Sequence, residues 1–168
     1  MRTFLVAVQM MTRVPVRLSA APTTRELGAA AGWFPIVGAG VGALAAAAYW
    51  ALVHAHLPSL APWAALAAAI LVTGAFHEDG LADTADGIGG GSDRARRLEI
   101  MRDSRVGSYG VVALVLVLGA QVAALGALPP SLGWRTIVAA HALGRAAALP
   151  LTLLPYARAE GGLGASVA

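Results

Sequence analysis

Two uncharged stretches constrain this chain more than any other feature. No Asp, Glu, Lys or Arg occurs from Ala31 to Phe76, and none from Val106 to Trp134. Between them, the 28 residues from Glu78 to Arg105 carry seven of the nine acids and five of the twelve arginines. A soluble domain spreads its charges, because its whole surface faces water. Here only 12% of residues are charged and 58% are hydrophobic, against about 25% charged in an ordinary soluble domain. A disordered chain, which needs low hydrophobicity and high charge, is excluded. The pattern is that of a membrane protein with one concentrated polar site. The chain has no cysteine, which excludes disulfides, zinc ribbons and thiol catalysis. All twelve cations are arginine, which excludes Schiff-base chemistry and a P-loop lysine.

A spanning helix needs about 20 mostly apolar residues. Four stretches qualify: Trp33 to Val53, Leu60 to Phe76, Tyr109 to Leu128, and Trp134 to Leu154 with Arg145 inside it. Short breaks with Pro and Gly separate the first from the second and the third from the fourth. The expected fold is therefore all-α, a polytopic integral membrane helical bundle of about four transmembrane helices, forming one domain over residues 1–168. Arg2, Arg13, Arg17 and Arg25 precede the first span, the polar block holds five more arginines, and Arg158 follows the fourth. Four spans put all three basic segments on one side, and the positive-inside rule makes that side cytoplasmic. The first residues read as an interfacial helix with Phe4, Leu5, Val8 and Met11 toward lipid. Gly38, Gly42 and Ala46 recur every four residues and form a face that another helix backbone can approach closely.

The chemistry sits in His77-Glu-Asp-Gly-Leu-Ala-Asp-Thr-Ala-Asp-Gly87. Asp79, Asp83 and Asp86 are spaced so that a helix puts them on one face, within about 60° of one another. Three carboxylates there repel unless a cation offsets them, and oxygen ligands select a hard divalent metal, Mg²⁺ before zinc. The run Gly87-Ile-Gly-Gly-Gly-Ser92 reads as a loop whose backbone N–H groups approach phosphate oxygens, with Gly89 and Gly90 as the substrate-binding candidates. Ser92 or Asp93 can cap a following helix, and Arg94, Arg97 and Arg105 share roughly one side if that helix continues. Guanidinium forks suit phosphate oxygens. No nucleic acid is expected as a partner, because the block has no aromatic before Tyr109 and its charges nearly balance. The residues thus point to a membrane-embedded enzyme that acts on a phosphorylated or pyrophosphate substrate through Mg²⁺, next to the lipid bilayer.

The run Phe76-His-Glu-Asp-Gly-Leu-Ala-Asp-Thr-Ala-Asp-Gly-Ile-Gly-Gly-Gly, followed by Arg97-Leu-Glu-Ile-Met-Arg-Asp-Ser-Arg-Val-Gly-Ser-Tyr-Gly110, resembles the cobalamin synthase family, adenosylcobinamide-GDP ribazoletransferase. Thr12-Arg-Val-Pro-Val, Trp33-Phe-Pro-Ile-Val-Gly-Ala-Gly-Val-Gly and Pro155-Tyr-Ala-Arg-Ala-Glu-Gly-Gly-Leu-Gly are also similar to that family. The resemblance implies a multi-pass transferase of the cell inner membrane. It joins adenosylcobinamide-GDP to α-ribazole, or to its 5′-phosphate, and releases GMP in the last assembly step of adenosylcobalamin, with Mg²⁺ as cofactor. The family's chains run longer, so the chain is expected to lack the family's C-terminal helices. On this reading Glu78, Asp79, Asp83 and Asp86 hold the metal. Arg97, Arg102 and Arg105 stabilise developing charge, and Asp86 takes the proton from the attacking ribose hydroxyl. Gly89, Gly90, Arg94 and Arg145 bind substrate. A homo-oligomer is compatible with the pattern. Two other readings carry weight: a phosphatidyltransferase acting on CDP-alcohols, whose aspartate pattern fits Asp79-Gly-Leu-Ala-Asp83 poorly, and a small ion transporter, which would distribute its charges along several spans.

Overall fold

The computed structural model describes residues 1–150, which form eight α-helices and no strand. They are α1 (Arg2–Met11), α2 (Thr24–Ala31), α3 (Phe34–His54), α4 (Ala61–Thr73), α5 (Phe76–Gly90), α6 (Arg94–Ile100), α7 (Ser108–Gly126) and α8 (Pro130–Ala146). Three of them start at a proline, Pro35, Pro62 and Pro130. At a helix start the missing N–H costs nothing and the fixed φ already suits the helix. The expected end of the fourth span at Leu154, Arg158 and the motif from Pro155 lie outside the described residues.

Helices α3 and α8 pack closely because α3 has small residues where α8 crosses it. A Cβ on Gly38 would strike the His141 carbonyl and come within 2.8 Å of Arg145 Cδ. One on Gly42 would meet Val138 Cα at 2.8 Å. Ala46 is buried on the same face, and farther along Tyr49 packs on Gly133. The reciprocal fit joins Val41, Ala45, Ala46, Tyr49 and Ile137 to Ala61, Ala65 and Ala69 of α4 in one core. A second core lies under α1, where Val6, Ala7 and Met11 bury against Ala30, Ala31, Phe34 and Val37. Met11 therefore faces protein, not lipid as expected, and Phe4 packs edge-on against Trp33 at 5.5 Å. The Arg2–Glu26 ion pair at 2.6 Å ties α1 to α2.

Two helices, α3 and α7, are long and apolar enough to cross a membrane. The expected second span breaks instead: α4 ends after 13 residues, and α5 leaves it at 90°. At 1.5 Å per residue α4 is about 20 Å long, against a hydrocarbon core of about 30 Å. The bend is made by two left-handed residues in succession, Gly74 (φ 70°) and Ala75 (φ 60°). Gly74 is required twice over, since a side chain there would also collide with Arg13, at 2.6 Å from its Cδ. Arg13 N–H donates to the Val72 carbonyl at 2.8 Å and holds the corner. Counting the bent pair, up to three spans are present among the described residues; the expected fourth starts as α8 (Pro130–Ala146), and its expected end lies outside them. Val111, Val112, Val115 and Leu116 of α7 are exposed, an apolar surface of the kind that faces lipid.

Candidate active site

The bend turns α5, which carries the acidic motif, out of the line of α4. α5 then packs on the start of α7, and the contact is made by a carboxylate. Asp86 is buried, and its two oxygens accept the backbone N–H of Gly107 at 2.7 Å and of Gly110 at 2.8 Å. These N–H groups belong to the first turn of α7, which has no partners for them within its own helix. Both positions must be glycine. A Cβ on either would lie 2.5 Å from an Asp86 oxygen. Asp86 therefore anchors α7 to α5, a positioning role beside those expected of it as metal ligand and proton acceptor.

Around this anchor lies a polar cavity of about 490 Å³, lined by Asp86, Gly90, Ile100, Asp103, Arg105 and the first residues of α7. Arg105 and Asp103 form an ion pair at 2.6 Å, and the Arg105 backbone N–H also reaches Asp103 Oδ1 at 3.1 Å. The side-chain bond from Arg105, seconded by that backbone bond, pulls the Asp103 carboxyl down to about 2.

The glycine run is not a loop. α5 continues through Gly89 and Gly90, and only 91–93 are non-helical. Three of its glycines serve close approach: Gly87 against Met101, Gly89 against the Tyr109 ring and Gly91 against Arg97. Gly89 is thus covered by Tyr109, whereas Gly90 does line the polar cavity. Asp93 caps α6 by accepting the Arg96 N–H at 3.0 Å. α6 stops at Ile100, so Arg105 does not continue its face as expected. Arg97 is committed to the chain turn, its Nε donating to the Gly91 carbonyl at 3.0 Å. Arg94 and Arg102 are exposed, and Arg96 pairs with Glu99 at 2.7 Å.

Glu78 separates from the other acids. It lines a second cavity of about 530 Å³ between α4, α7 and α8, together with His77, His141 and Arg145. Its Oε2 is buried without a hydrogen-bond partner. Arg145 Nη1 donates to His141 Nδ1 at 2.8 Å. Arginine only donates, so Nδ1 accepts and the ring proton is on Nε2. Glu78 and Arg145 interact through charge across the cavity without pairing directly.

The profile of the cobalamin-5-phosphate synthase family matches residues 3–168. The chain belongs to this family. Among its relatives, a protein of Leptothrix cholodnii named adenosylcobinamide-GDP ribazoletransferase is 46% identical over 160 residues, covering 93% of this chain and 61% of the relative. Proteins of the same name from Ralstonia pickettii and Azorhizobium caulinodans are 47% and 48% identical, with 92% of this chain and 62% of each relative covered. The chain thus spans about three fifths of the length of these relatives. No solved structure matches it.

Among the described residues no three His, Asp or Glu side chains converge on one point. Of the four expected metal ligands, Asp79, Asp83 and Asp86 lie on successive turns of α5, and Glu78 lines the other cavity. Two carboxylates suffice for Mg²⁺, which binds through one or two and completes its shell with water and substrate phosphate. The motif reading overlooked Gly107 and Gly110 as parts of the site. The two glycines, three apart at a helix start, were the available signal.

Proposed function

We propose that this chain carries the catalytic centre of an adenosylcobinamide-GDP ribazoletransferase. It joins adenosylcobinamide-GDP to α-ribazole, or its 5′-phosphate, and releases GMP. The observation that supports this best is the bent acidic helix. It carries Asp79, Asp83 and Asp86 on one helix whose far end lines a cavity with Asp103 and Arg105, in a chain of the cobalamin-5-phosphate synthase family. In the reaction a ribose hydroxyl oxygen bonds to the phosphorus attached to the corrinoid. The bond from that phosphorus to GMP breaks, GMP takes the electron pair, and the hydroxyl proton passes to a carboxylate or to water. Asp79 and Asp83 would hold Mg²⁺, which would supply Lewis-acid charge to the pyrophosphate oxygens. Arg102 and Arg105, at the end of α6 and in the loop after it, offset the charge that develops on the departing GMP. Asp86 keeps that loop and α5 in register by holding the start of α7.

The enzyme sits in the cell inner membrane, with α3, the bent α4–α5 pair and α7 as passes and α8 packed on α3. The arginines before α3 and those of the α5–α7 segment support a site on the cytoplasmic side. Membranes containing the protein, given adenosylcobinamide-GDP, α-ribazole and Mg²⁺, are expected to yield GMP and a cobalamin by chromatography. Absence of both, with CMP released from a CDP-alcohol instead, contradicts the proposal.

A further inference from the structure

The two cavities lie at opposite ends of α5. Glu78 belongs to one and Asp86 to the other, and eight helical residues separate them by about 12 Å. Their linings differ in kind. The polar cavity has Asp86, Asp103 and Arg105 and a backbone rim. The other is walled by Ala65, Ala69, Val122, Leu125, Ile137 and neighbours, with its charged groups, Glu78 and Arg145, at one end and Gln121 and Thr136 along the walls. Asp79 and Asp83 stand on α5 between the two.

We infer that the apolar cavity between α4, α7 and α8 is the acceptor site. It takes an aromatic nucleoside, with the base against the aliphatic walls and the ribose toward Glu78 and Arg145. This rests on the ribazoletransferase reading and adds to it where the second substrate binds. Three observations carry it. The volume of about 530 Å³ falls in the ordinary range for a small ligand, about 300–1,000 Å³. Most of the wall is aliphatic, which suits an aromatic base, and its charged groups, Glu78 and Arg145, suit a ribose or a ribose phosphate. At the polar end, a buried carboxylate oxygen without a donor faces an arginine. A buried acceptor of this kind costs stability until a donor reaches it. Ribose hydroxyls are such donors, and a ribose phosphate would also satisfy Arg145. The cavity thus brings a ribose hydroxyl to the Asp79 side of α5, where the pyrophosphate is held.

Two alanines that line the cavity, Ala140 on α8 and Ala124 on α7, are exposed, so a larger side chain there meets space and not core. The test uses the full chain in lipid nanodiscs, with labelled α-ribazole and labelled GDP as separate probes. Ala140→Trp, and independently Ala124→Phe, are expected to weaken α-ribazole binding by about ten-fold or more and leave GDP binding unchanged. Arg105→Ala is expected to do the reverse. α-Ribazole binding of wild-type strength in both cavity variants, equal loss of both probes, or no α-ribazole binding to the wild-type protein overturns the assignment. Failure of the underlying reading looks different: wild-type protein binds α-ribazole in the cavity yet forms no GMP from adenosylcobinamide-GDP.

Discussion

The two ends of α5 satisfy their carboxylates in opposite ways. At the C-terminal end Asp86 is engaged, with one α7 N–H on each oxygen and two glycines that let the backbone reach it. At the N-terminal end Glu78 is half-buried, with its buried Oε2 unmet and an arginine at charge range rather than in contact. The first arrangement holds the structure together. The second leaves an unmet demand, which is what a ligand site needs. One motif thus holds carboxylates in two different surroundings.

The largest expected effect lies between the two ends, at Asp79 and Asp83. Asp83→Asn removes a negative metal ligand with almost no change of shape. GMP release is expected to fall below detection while the protein still inserts into membranes at the wild-type level. Turnover near wild type in this variant removes Asp83 from the metal site.

Next is the anchor. Asp86→Ala leaves the buried Gly110 N–H without an acceptor, a loss of about 1–3 kcal/mol. Thermal unfolding in detergent is expected at a lower temperature, and amide exchange in the first turn of α7 should speed up. Gly110→Ala should do the same from the other side, since its Cβ would lie 2.5 Å from Asp86 Oδ2. An α7 that exchanges as slowly in both variants as in the wild type means the contact does not anchor the helix.

A smaller effect is expected at the unmet end. Glu78→Ala should raise the KM for α-ribazole by about ten-fold, or 1.4 kcal/mol, with little change in the KM for adenosylcobinamide-GDP. A larger shift for the GDP substrate than for α-ribazole would place Glu78 with the metal pair instead. The smallest effect concerns the exposed Asp103–Arg105 pair. Its folded carboxyl lies at about 2, below the ordinary 3.8. What the pair contributes is therefore complete above the ordinary carboxylate range and is lost as pH falls toward 2. Between about pH 5 and 9 it should give no step in the activity profile. Arg105→Ala is expected to return Asp103 toward 3.8, as followed by carboxyl NMR shifts.

Features with a short repeat were legible in the sequence. The charge deserts gave α3 and α7 to within a few residues, Asp93 was a readable helix cap, and Gly38, Gly42 and Ala46 marked the face that α8 uses. What escaped depends on partners far along the chain. Gly89 reads as a loop glycine until Tyr109 is known to lie on it, and the anchoring role of Asp86 shows only once Gly107 and Gly110 are known to face it. The 90° bend escaped for a local reason. After Gly74, Ala75 also adopts the left-handed conformation, which few non-glycine residues do, so the apolar run to Phe76 read as one span.

The central claim is that α5 serves two different ligands at its two ends. Photoreactive analogues of α-ribazole and of GDP, cross-linked to the protein in membranes and mapped by peptide mass spectrometry, test it most directly. The account predicts that the α-ribazole probe labels α4, α7 near Gln121–Leu128, or α8, whereas the GDP probe labels residues between Asp86 and Tyr109. Labelling of the same peptide by both probes, each displaced by the other's parent compound, would contradict it.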